Sequence, residues 1–150
     1  MNNEARAKII QYIEHNPMAV LSTINDDGTP HSAVVYICVV GEAVCFITKN
    51  QTRKYQNILE RPYVSITIGN DKESSTLQLS GKAYVLQDAK LLDMAMKKMS
   101  AVHAVMAEWL PPIAKLRAGS YAVVGVGLAG ARLGQFRGLD IGSREIFTEF

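Results

Sequence analysis

The residue types best suited to chemistry lie close together after an apolar strand, as Thr48, Thr52, Arg53 and Lys54. Thr52 opens a short predicted helix, and a helix N-terminus offers N–H groups and partial positive charge to an anion. Arginine adds a planar fork of donors, and lysine adds a compact charge. The pattern is therefore suited to binding a phosphate. Spacing alone leaves open a capped surface helix with solvated basic side chains.

Three glycines match the dinucleotide-binding pattern GxGxxG, namely Gly125, Gly127 and Gly130. That pattern requires a following helix, a second parallel strand and an acidic residue about 20 positions further on. The residues after Gly130 begin ARLGQFRG, which is a poor helix sequence. We therefore interpret these glycines as sites of strand bending or close packing.

The two cysteines, Cys38 and Cys45, face each other across a predicted hairpin with the loop Gly41-Glu42. Such a pair is compatible with a redox switch or with two buried free thiols. Both strands are apolar at nearly every position, which indicates burial on both faces. We favour two buried, free thiols in a reducing compartment.

The elements that must position these residues follow from turn signals and apolar periodicity. Asn25-Asp26-Asp27-Gly28 predicts a hairpin turn, and Gly81 within a long strand predicts a bulge or bend. Strands at short spacing with inserted helices favour a mainly β (α+β) fold, an antiparallel six-stranded split β-barrel with peripheral helices. One domain is expected over residues 1–150. The predicted strands are 18–24, 32–40, 43–48, 63–68, 76–86 and 121–128, and the predicted helices are 4–15, 52–60 and 88–110.

Composition excludes several classes of partner. The chain has 150 residues, of which 48% are hydrophobic and 20% charged, with a net charge of +2. This charge is too small to indicate nucleic acid or an anionic membrane, and no apolar run reaches the ~20 residues that span a bilayer. The charged, amphipathic N-terminus lacks the pattern of a signal peptide, so we expect a cytoplasmic protein.

Three runs, MAVLSTINDDGTPHSAVVYI, AVCFITKNQTRKYQNILERPYVSITI and TLQLSGKAYVL, resemble the pyridoxamine-5′-phosphate-oxidase-like FMN-binding split barrels. The resemblance covers residues 17–86 in the family's order of strand, hairpin, phosphate-binding turn and bent strand. It implies a homodimer with FMN at its interface and a small-molecule substrate.

The resemblance also assigns cofactor-binding residues. Arg53 and Lys54 would hold the FMN phosphate, while Ile47 and Thr48 would contact the flavin or the phosphate. Thr76 falls where many relatives carry a polar residue near the flavin, often Gln. The strand expected to line the isoalloxazine ring, partly through backbone groups, comprises Ser32, Ala33, Val34, Val35 and Tyr36.

The implied function is an FMN-dependent oxidoreductase acting on an unidentified small molecule. The family's biosynthetic oxidase carries Arg-Leu-His near its C-terminus, whereas this chain has Arg132-Leu133-Gly134, so pyridoxamine phosphate is not the expected substrate. No catalytic side-chain constellation is evident, since the cofactor itself would carry the redox step. The alternative is a non-catalytic stress-response protein that binds flavin, F420 or haem, with His31 or His103 as candidate haem ligands. The histidines show no metal-ligand spacing.

Overall fold

The structure, a computed structural model, describes residues 3–105, 121–135 and 146–149, with side chains described up to 102 and from 121 to 135. Short turns separate most neighbouring strands, as the Gly and Asp signals predict. The elements are α1 Asn3–His15, β1 Met18–Ile24, β2 Pro30–Tyr36, β3 Cys38–Val40, β4 Ala43–Lys49, α2 Arg53–Glu60, β5 Tyr63–Asn70, β6 Ser75–Val85, α3 Ala89–Val105, β7 Tyr121–Gln135 and β8 Ile146–Glu149.

All the strands belong to one antiparallel sheet in the order β2-β1-β5-β6-β7-β4-β3, and β8 pairs with β7. The two outermost strands of this order, β2 and β3, are consecutive in the chain and are separated by Ile37 alone. The sheet must therefore curl until its ends meet. This confirms the predicted antiparallel split barrel with peripheral helices.

The strand count differs from the predicted six for two reasons. The predicted strand 32–40 is divided at Ile37, whose N–H donates to Pro17 O at 2.8 Å, so β2 and β3 are separate strands. The Gly- and Arg-rich C-terminal region, where no element was predicted, extends β7 to Gln135 and adds β8. The part of the predicted helix 88–110 beyond Val105 lies outside the described residues.

The barrel interior is an apolar core closed by helices. Ile9 and Ile13 of α1 and Ile58 of α2 pack against inward-facing strand residues. The two helices cover apolar side chains that the curled sheet alone would leave exposed to water. The largest fully buried strand side chains in this core are Leu21, Phe46, Ile66, Ile68, Leu77, Leu79, Val44, Val124 and Val126.

A second apolar core lies outside the barrel, between α3 and the outer faces of β3 and β4. Ala95 and Met99 of α3 pack over Cys38, Cys45 and Ile47. Six of the seven residues of β4 are therefore buried, because one face points into the barrel and the other faces α3. This explains the continuous apolar pattern of this strand.

The cysteine prediction is confirmed. Cys38 pairs directly with Cys45 in the β3–β4 register, and both are free and buried. Burial raises the pKa of Cys38 to about 12 and that of Cys45 to about 11. Both thiols are therefore held in the protonated, unreactive form near neutral pH.

The predicted bulge at Gly81 and the interpretation of the glycine motif are also confirmed. The β6–β7 register shifts between Ser80 and Gly81. A Cβ at Gly81 would lie 2.2 Å from Gly127 O, and one at Gly125 would lie 2.9 Å from the ring of Tyr84. A Cβ at Gly130 would lie 3.2 Å from Ser80 Oγ, so Gly125 and Gly130 of the motif both allow close approach of the neighbouring strand.

Candidate functional site

Two threonine hydroxyls organise the turn between β4 and α2. Thr48 is buried, and its Oγ1 lies 2.9 Å from Thr52 Oγ1. Thr52 Oγ1 donates to Lys49 O at 2.9 Å, so Thr48 donates in the Thr48–Thr52 bond because a hydroxyl has one proton. Thr52 occupies the N-cap position, with extended backbone angles, but makes no side-chain capping bond. The N-terminus of α2 is therefore left uncapped by this side chain.

The first turn of α2 carries the two predicted phosphate ligands. The first N–H groups that bond within the helix are those of Tyr55 and Gln56, both to Thr52 O. The N–H groups of Arg53 and Lys54 precede these bonds, at the open end of the helix. Lys54 is half-buried, and loss of hydration lowers the pKa of its ammonium group. A positive charge removed from water in this way is stabilised by a bound anion.

Arg53 lies on the side of the helix that faces the turn of the β1–β2 hairpin. The hydroxyl of Thr29 lowers the pKa of the Asp27 carboxyl in this turn, with a further, smaller contribution from Arg53. Asp27 is fully exposed, so this is a weak, solvent-screened interaction.

Two polar side chains that the sequence analysis did not identify hold α2 against this hairpin. Asn57 Nδ2 donates to Thr23 Oγ1 and to Asn25 Oδ1, both at 3.0 Å. Arg61 Nε donates to Ile24 O at 3.0 Å, and the Arg61 guanidinium pairs with Asp26. No spacing rule would reveal these contacts, because they depend on which loop packs beside the helix.

The edge of β2 opposite β1 faces a gap beside α2, which we call the seam. Ile37 N–H donates to Pro17 O, just before β1. In an antiparallel pair the backbone groups of every second residue point toward the partner strand, so those of Ala33 and Val35 also point toward β1. The N–H and C=O groups of Ser32, Val34 and Tyr36 point away from β1. In the described part of the sheet, β1 is the only strand that pairs with β2, while α2 and β4 pack nearby. These backbone groups therefore face the gap beside α2.

The predicted ring-lining residues divide by face. Ser32 and Val34 are exposed on the outer face of the barrel, whereas Val35 is buried in the interior. Tyr36 and Ile47 are both 8% exposed and belong to the outer core beneath α3. Ala33, which lies between Ser32 and Val34 in the sequence, is half-buried. The outer side chains and the seam-facing backbone are thus the groups of β2 available to a ligand.

Thr76 is not brought to this cluster within one chain. It lies on β6, three strands from β2 in the sheet order and about 14 Å away along the sheet at ordinary strand spacing. Its register partners are Gly69 and Gly134, at the opposite end of β5 from α2. Within one chain, the structure therefore brings Thr48, Arg53 and Lys54 together at the start of α2, beside the seam-facing residues Ser32 and Val34. Of the other predicted residues, Thr76 lies apart, Val35 lies in the barrel interior, and Tyr36 and Ile47 lie beneath α3.

The remaining candidates show no cluster typical of a metal site. Within the residues described, no three His, Cys, Asp or Glu side chains could jointly hold a metal ion. His31 is half-buried on β2, and His15 Nδ1 lies 2.7 Å from Gln11 O. The side chain of His103 and all of Arg137 lie outside the described residues. Arg132 is exposed on β7 opposite Gln78.

The outer faces of β1, β2, β5 and β6 form a surface that we call the outer platform. Across its strands, successive register partners make one row of serines and a second row of apolar and uncharged polar residues. Val34 is 56% exposed and Val20 41% exposed, and Met18 beside them is 53% exposed. The rows are Ser32–Ser22–Ser65–Ser80 and Val34–Val20–Thr67–Gln78.

No helix among the described residues combines the length and the apolar character needed to cross a bilayer.

Comparison with known proteins extends the structural description. A family model described as pyridoxamine 5′-phosphate oxidase matches residues 5–126. General stress protein 26 of Bacillus subtilis (strain 168) is 27% identical over 93 residues, which cover 60% of this chain and 66% of that protein. The match thus spans just under two thirds of the length of this relative.

Solved structures share the fold at low sequence identity. An FMN-binding, pyridoxamine 5′-phosphate oxidase-related protein from Nostoc punctiforme PCC 73102 superposes with a TM-score of 0.64 at 12% identity, covering 100% of this chain and 98% of that one. A haem-binding protein from Mycobacterium smegmatis superposes with a TM-score of 0.70 at 19% identity, covering 95% of this chain and 55% of that one. Because the family model spans most of the chain and the fold agrees, the chain belongs to the pyridoxamine 5′-phosphate oxidase family.

Proposed function

We propose that the protein binds FMN, with its phosphate at the N-terminus of α2, and acts as an FMN-dependent oxidoreductase on a small molecule. The observation that carries the proposal is the uncapped N-terminus of α2, with Arg53 and Lys54 in its first turn beside the open seam of β2. A phosphate and a flat, hydrogen-bonding ring system are the two parts of FMN, and the site offers a matching group for each.

The phosphate half of the site is built by charge and by N–H donors. The N–H groups of Arg53 and Lys54 lie at the positive end of the helix dipole, and both side chains add positive charge. The Thr48 hydroxyl is held at the same turn by its bond to Thr52. The backbone N–H groups and the two basic side chains suit a dianion far better than a neutral hydroxyl, so the phosphate should account for much of the FMN affinity.

The ring half of the site is built by backbone groups. The N–H and C=O groups of Ser32 and Val34 alternate along the seam, and the edge of a flavin pyrimidine ring alternates acceptor and donor atoms. The exposed side chain of Val34 adds apolar contact beside the seam. When bound, FMN supplies the chemistry of accepting and passing on a hydride or electrons, while these residues bind and orient it and exclude water.

A second copy of the chain is part of the proposal. Thr76 lies too far along the sheet to join the site of its own chain, but it borders the outer platform. A homodimer formed through the platforms could bring Thr76 of one copy toward the flavin of the other, and would cover Val20 and Val34. The cofactor would then lie at the interface.

The substrate is proposed to be a small molecule other than pyridoxamine phosphate. At the position after Arg132-Leu133 the chain has Gly134, which lies in β7 and pairs with Thr76 and Phe147. A glycine offers no side chain to bind a substrate phosphate or to exchange a proton. The free, buried state of Cys38 and Cys45 accords with the proposed location in the reducing cytoplasm.

The second candidate is a non-catalytic stress-response protein that binds flavin, F420 or haem. The similarity to the haem-binding protein of Mycobacterium smegmatis and to general stress protein 26 supports this second candidate. A haem would need an axial ligand, and His31 on β2 is the described histidine nearest the seam. His31 is half-buried, so its ring is only partly accessible to a haem iron.

The visible spectrum of the purified protein separates these candidates. We expect flavin absorbance that appears in the supernatant after denaturation, and chromatography that identifies the released pigment as FMN. The apoprotein should then be titrated with FMN, riboflavin, F420 and haem. A Soret band, or affinity for haem or F420 above that for FMN, would support the second candidate, and a protein that binds none of them would contradict both.

A further inference from the structure

Asn57 is a buried polar residue in the middle of the short helix α2. It is 3% exposed, whereas Leu59 two residues later is 54% exposed. A helix of this length is marginal on its own, so tertiary contacts must fix its position. An amide buried here costs free energy unless it is hydrogen-bonded, and a leucine of similar size would pack without that cost. The contacts of Asn57 therefore need an explanation beyond filling space.

These contacts lead from α2 into the strand that lines the seam. Asn57 Nδ2 donates to Thr23 Oγ1 and to Asn25 Oδ1, each at 3.0 Å. Thr23 is fully buried, and its Oγ1 donates in turn to His31 O at 3.4 Å. His31 directly precedes Ser32, the first residue that faces the seam. The chain of bonds thus connects the helix to β2 through β1.

Asn57 also lies one helical turn after the phosphate-binding residues. Arg53 and Lys54 are at positions i−4 and i−3 relative to Asn57, on the same side of α2. A rotation or slide of α2 on the hairpin would move these two residues relative to β2 by about as much as the helix itself moves. Directional hydrogen bonds resist such a movement, whereas the apolar contact of Ile58 with the barrel interior permits it.

We propose that Asn57 is a positioning residue that locks α2 to the β1–β2 hairpin and so sets the distance between the phosphate site and the ring site. This inference rests on the proposed function and adds to it the residue that joins its two halves. Asn57 would touch neither the phosphate nor the ring. Its effect would pass through Thr23 to β2 and through the body of α2 to Arg53 and Lys54.

The test compares Asn57→Ala with Ile58→Val, which weakens the packing of the same helix without removing a hydrogen bond. The dissociation constants for FMN and riboflavin are measured for both variants at a temperature where each is folded. We expect Asn57→Ala to weaken FMN by about tenfold, the loss of one charge-assisted contact, and riboflavin by much less. Ile58→Val should leave the FMN-to-riboflavin ratio at the wild-type value. An unchanged ratio in Asn57→Ala would mean that Asn57 serves stability alone.

A second variant covers the case in which Asn57→Ala does not fold. Thr23→Val removes the hydroxyl that relays the contact and keeps the side-chain shape. It should therefore also weaken FMN binding more than riboflavin binding. Where Asn57→Ala does fold, the loss in the double variant Thr23→Val/Asn57→Ala should not exceed that of Asn57→Ala alone. Additive losses would show that the two residues act separately and would overturn the proposal.

A measurement without flavin separates this proposal from the proposed function. Amide hydrogen exchange should rise together in the first turn of α2 and in residues 31–36 of Asn57→Ala, but not in Ile58→Val. If the wild-type protein binds no FMN, the proposed function fails while this coupling is still tested. If exchange rises in α2 and not in β2, the coupling is absent.

Discussion

At the scale of single residues, the site depends on where a few polar groups stand relative to water. Thr48, near the end of β4, is buried, and Lys54, in the first turn of α2, is half-buried. The types and order of Arg53 and Lys54 were compatible with a phosphate site, because basic residues in a first helical turn attract anions. The family resemblance was needed to assign them to the FMN phosphate, and this assignment stays a prediction. The role of Asn57 could not be predicted, since a polar residue in an amphipathic helix is ordinarily exposed.

Removing the two basic residues tests the phosphate site. The double variant Arg53→Ala/Lys54→Ala should weaken FMN at least tenfold, since each charge-assisted contact contributes roughly 1.5–3 kcal/mol. Riboflavin, which lacks the phosphate, should be affected little. Isothermal titration or quenching of flavin fluorescence gives both dissociation constants.

Lys72→Ala is the matched control for lost charge. Lys72 is exposed and follows the far end of β5, which begins directly after α2, so the strand places it about 25 Å from the site. It should leave both affinities unchanged. Equal losses of FMN and riboflavin in the double variant would show that Arg53 and Lys54 act on the fold rather than on the phosphate.

The pH dependence of FMN affinity follows from Lys54. Burial lowers the pKa of Lys54 below its ordinary value of 10.5, so the charge of its ammonium group is lost as pH rises through this lowered value. FMN affinity should therefore fall at a lower pH than an ordinary lysine would allow. Riboflavin, titrated in parallel between about pH 7 and 10, corrects for ionisation of the ring.

The change in FMN affinity with pH should disappear in Lys54→Ala once the riboflavin correction is made. A slope that persists in this variant would assign the titration to another group.

The two cysteines should be inert in the folded protein. Because burial raises the pKa of Cys38 to about 12 and that of Cys45 to about 11, a thiol reagent at mildly alkaline pH meets almost no thiolate. We expect two thiols to react in urea and none within minutes in the native state. Rapid native labelling of either would show that the outer core opens readily.

At the scale of elements, turns and bulges were predictable because each depends on local chemistry. The hairpin turns at Gly28 and Gly41 require positive φ, which both glycines adopt at 81° and 57°. The division at Ile37 and the length of β7 depend on hydrogen bonds with distant partners, Pro17 and β6. No local pattern encodes such bonds, so these boundaries were not predictable.

The bulge at Gly81 gives a prediction for stability. Gly81→Ala would place a Cβ 2.2 Å from Gly127 O, and the backbone would have to move apart, at a cost of about 1–3 kcal/mol in the free energy of unfolding. Gly69→Ala is the control, because its Cβ would meet nothing within 4 Å. Urea denaturation measures both, and equal midpoints would show that the β6–β7 contact is not tight.

At the scale of the whole molecule, the barrel architecture could be predicted from the sequence and the surface could not. Antiparallel strands with short loops favour closure, which accounts for the correct barrel prediction. The outer platform depends on register across four strands, and a single-residue uncertainty in register would move Val20 and Val34 to the opposite face. The two uncharged rows of this surface are visible only when the register is known.

The platform leads to a prediction about assembly. Light scattering should give the mass of a homodimer, and Val20→Asp should give a monomer that remains folded, because Val20 is 41% exposed in the single chain. Met94→Asp on α3, with Met94 at 37% exposed, should leave the dimer intact. A wild-type monomer that binds FMN would contradict the proposed interface.

The single residue between β2 and β3 has a consequence for how the barrel resists opening. Because the sheet's two ends are joined covalently at Ile37 and not by a ladder of hydrogen bonds, closure there is a property of chain connectivity. A circular permutant with new termini at Ile37 would keep every strand pair yet leave both ends free to splay and expose apolar edges. A permutant opened in the β5–β6 turn would keep this tether. The first should aggregate and the second should stay soluble.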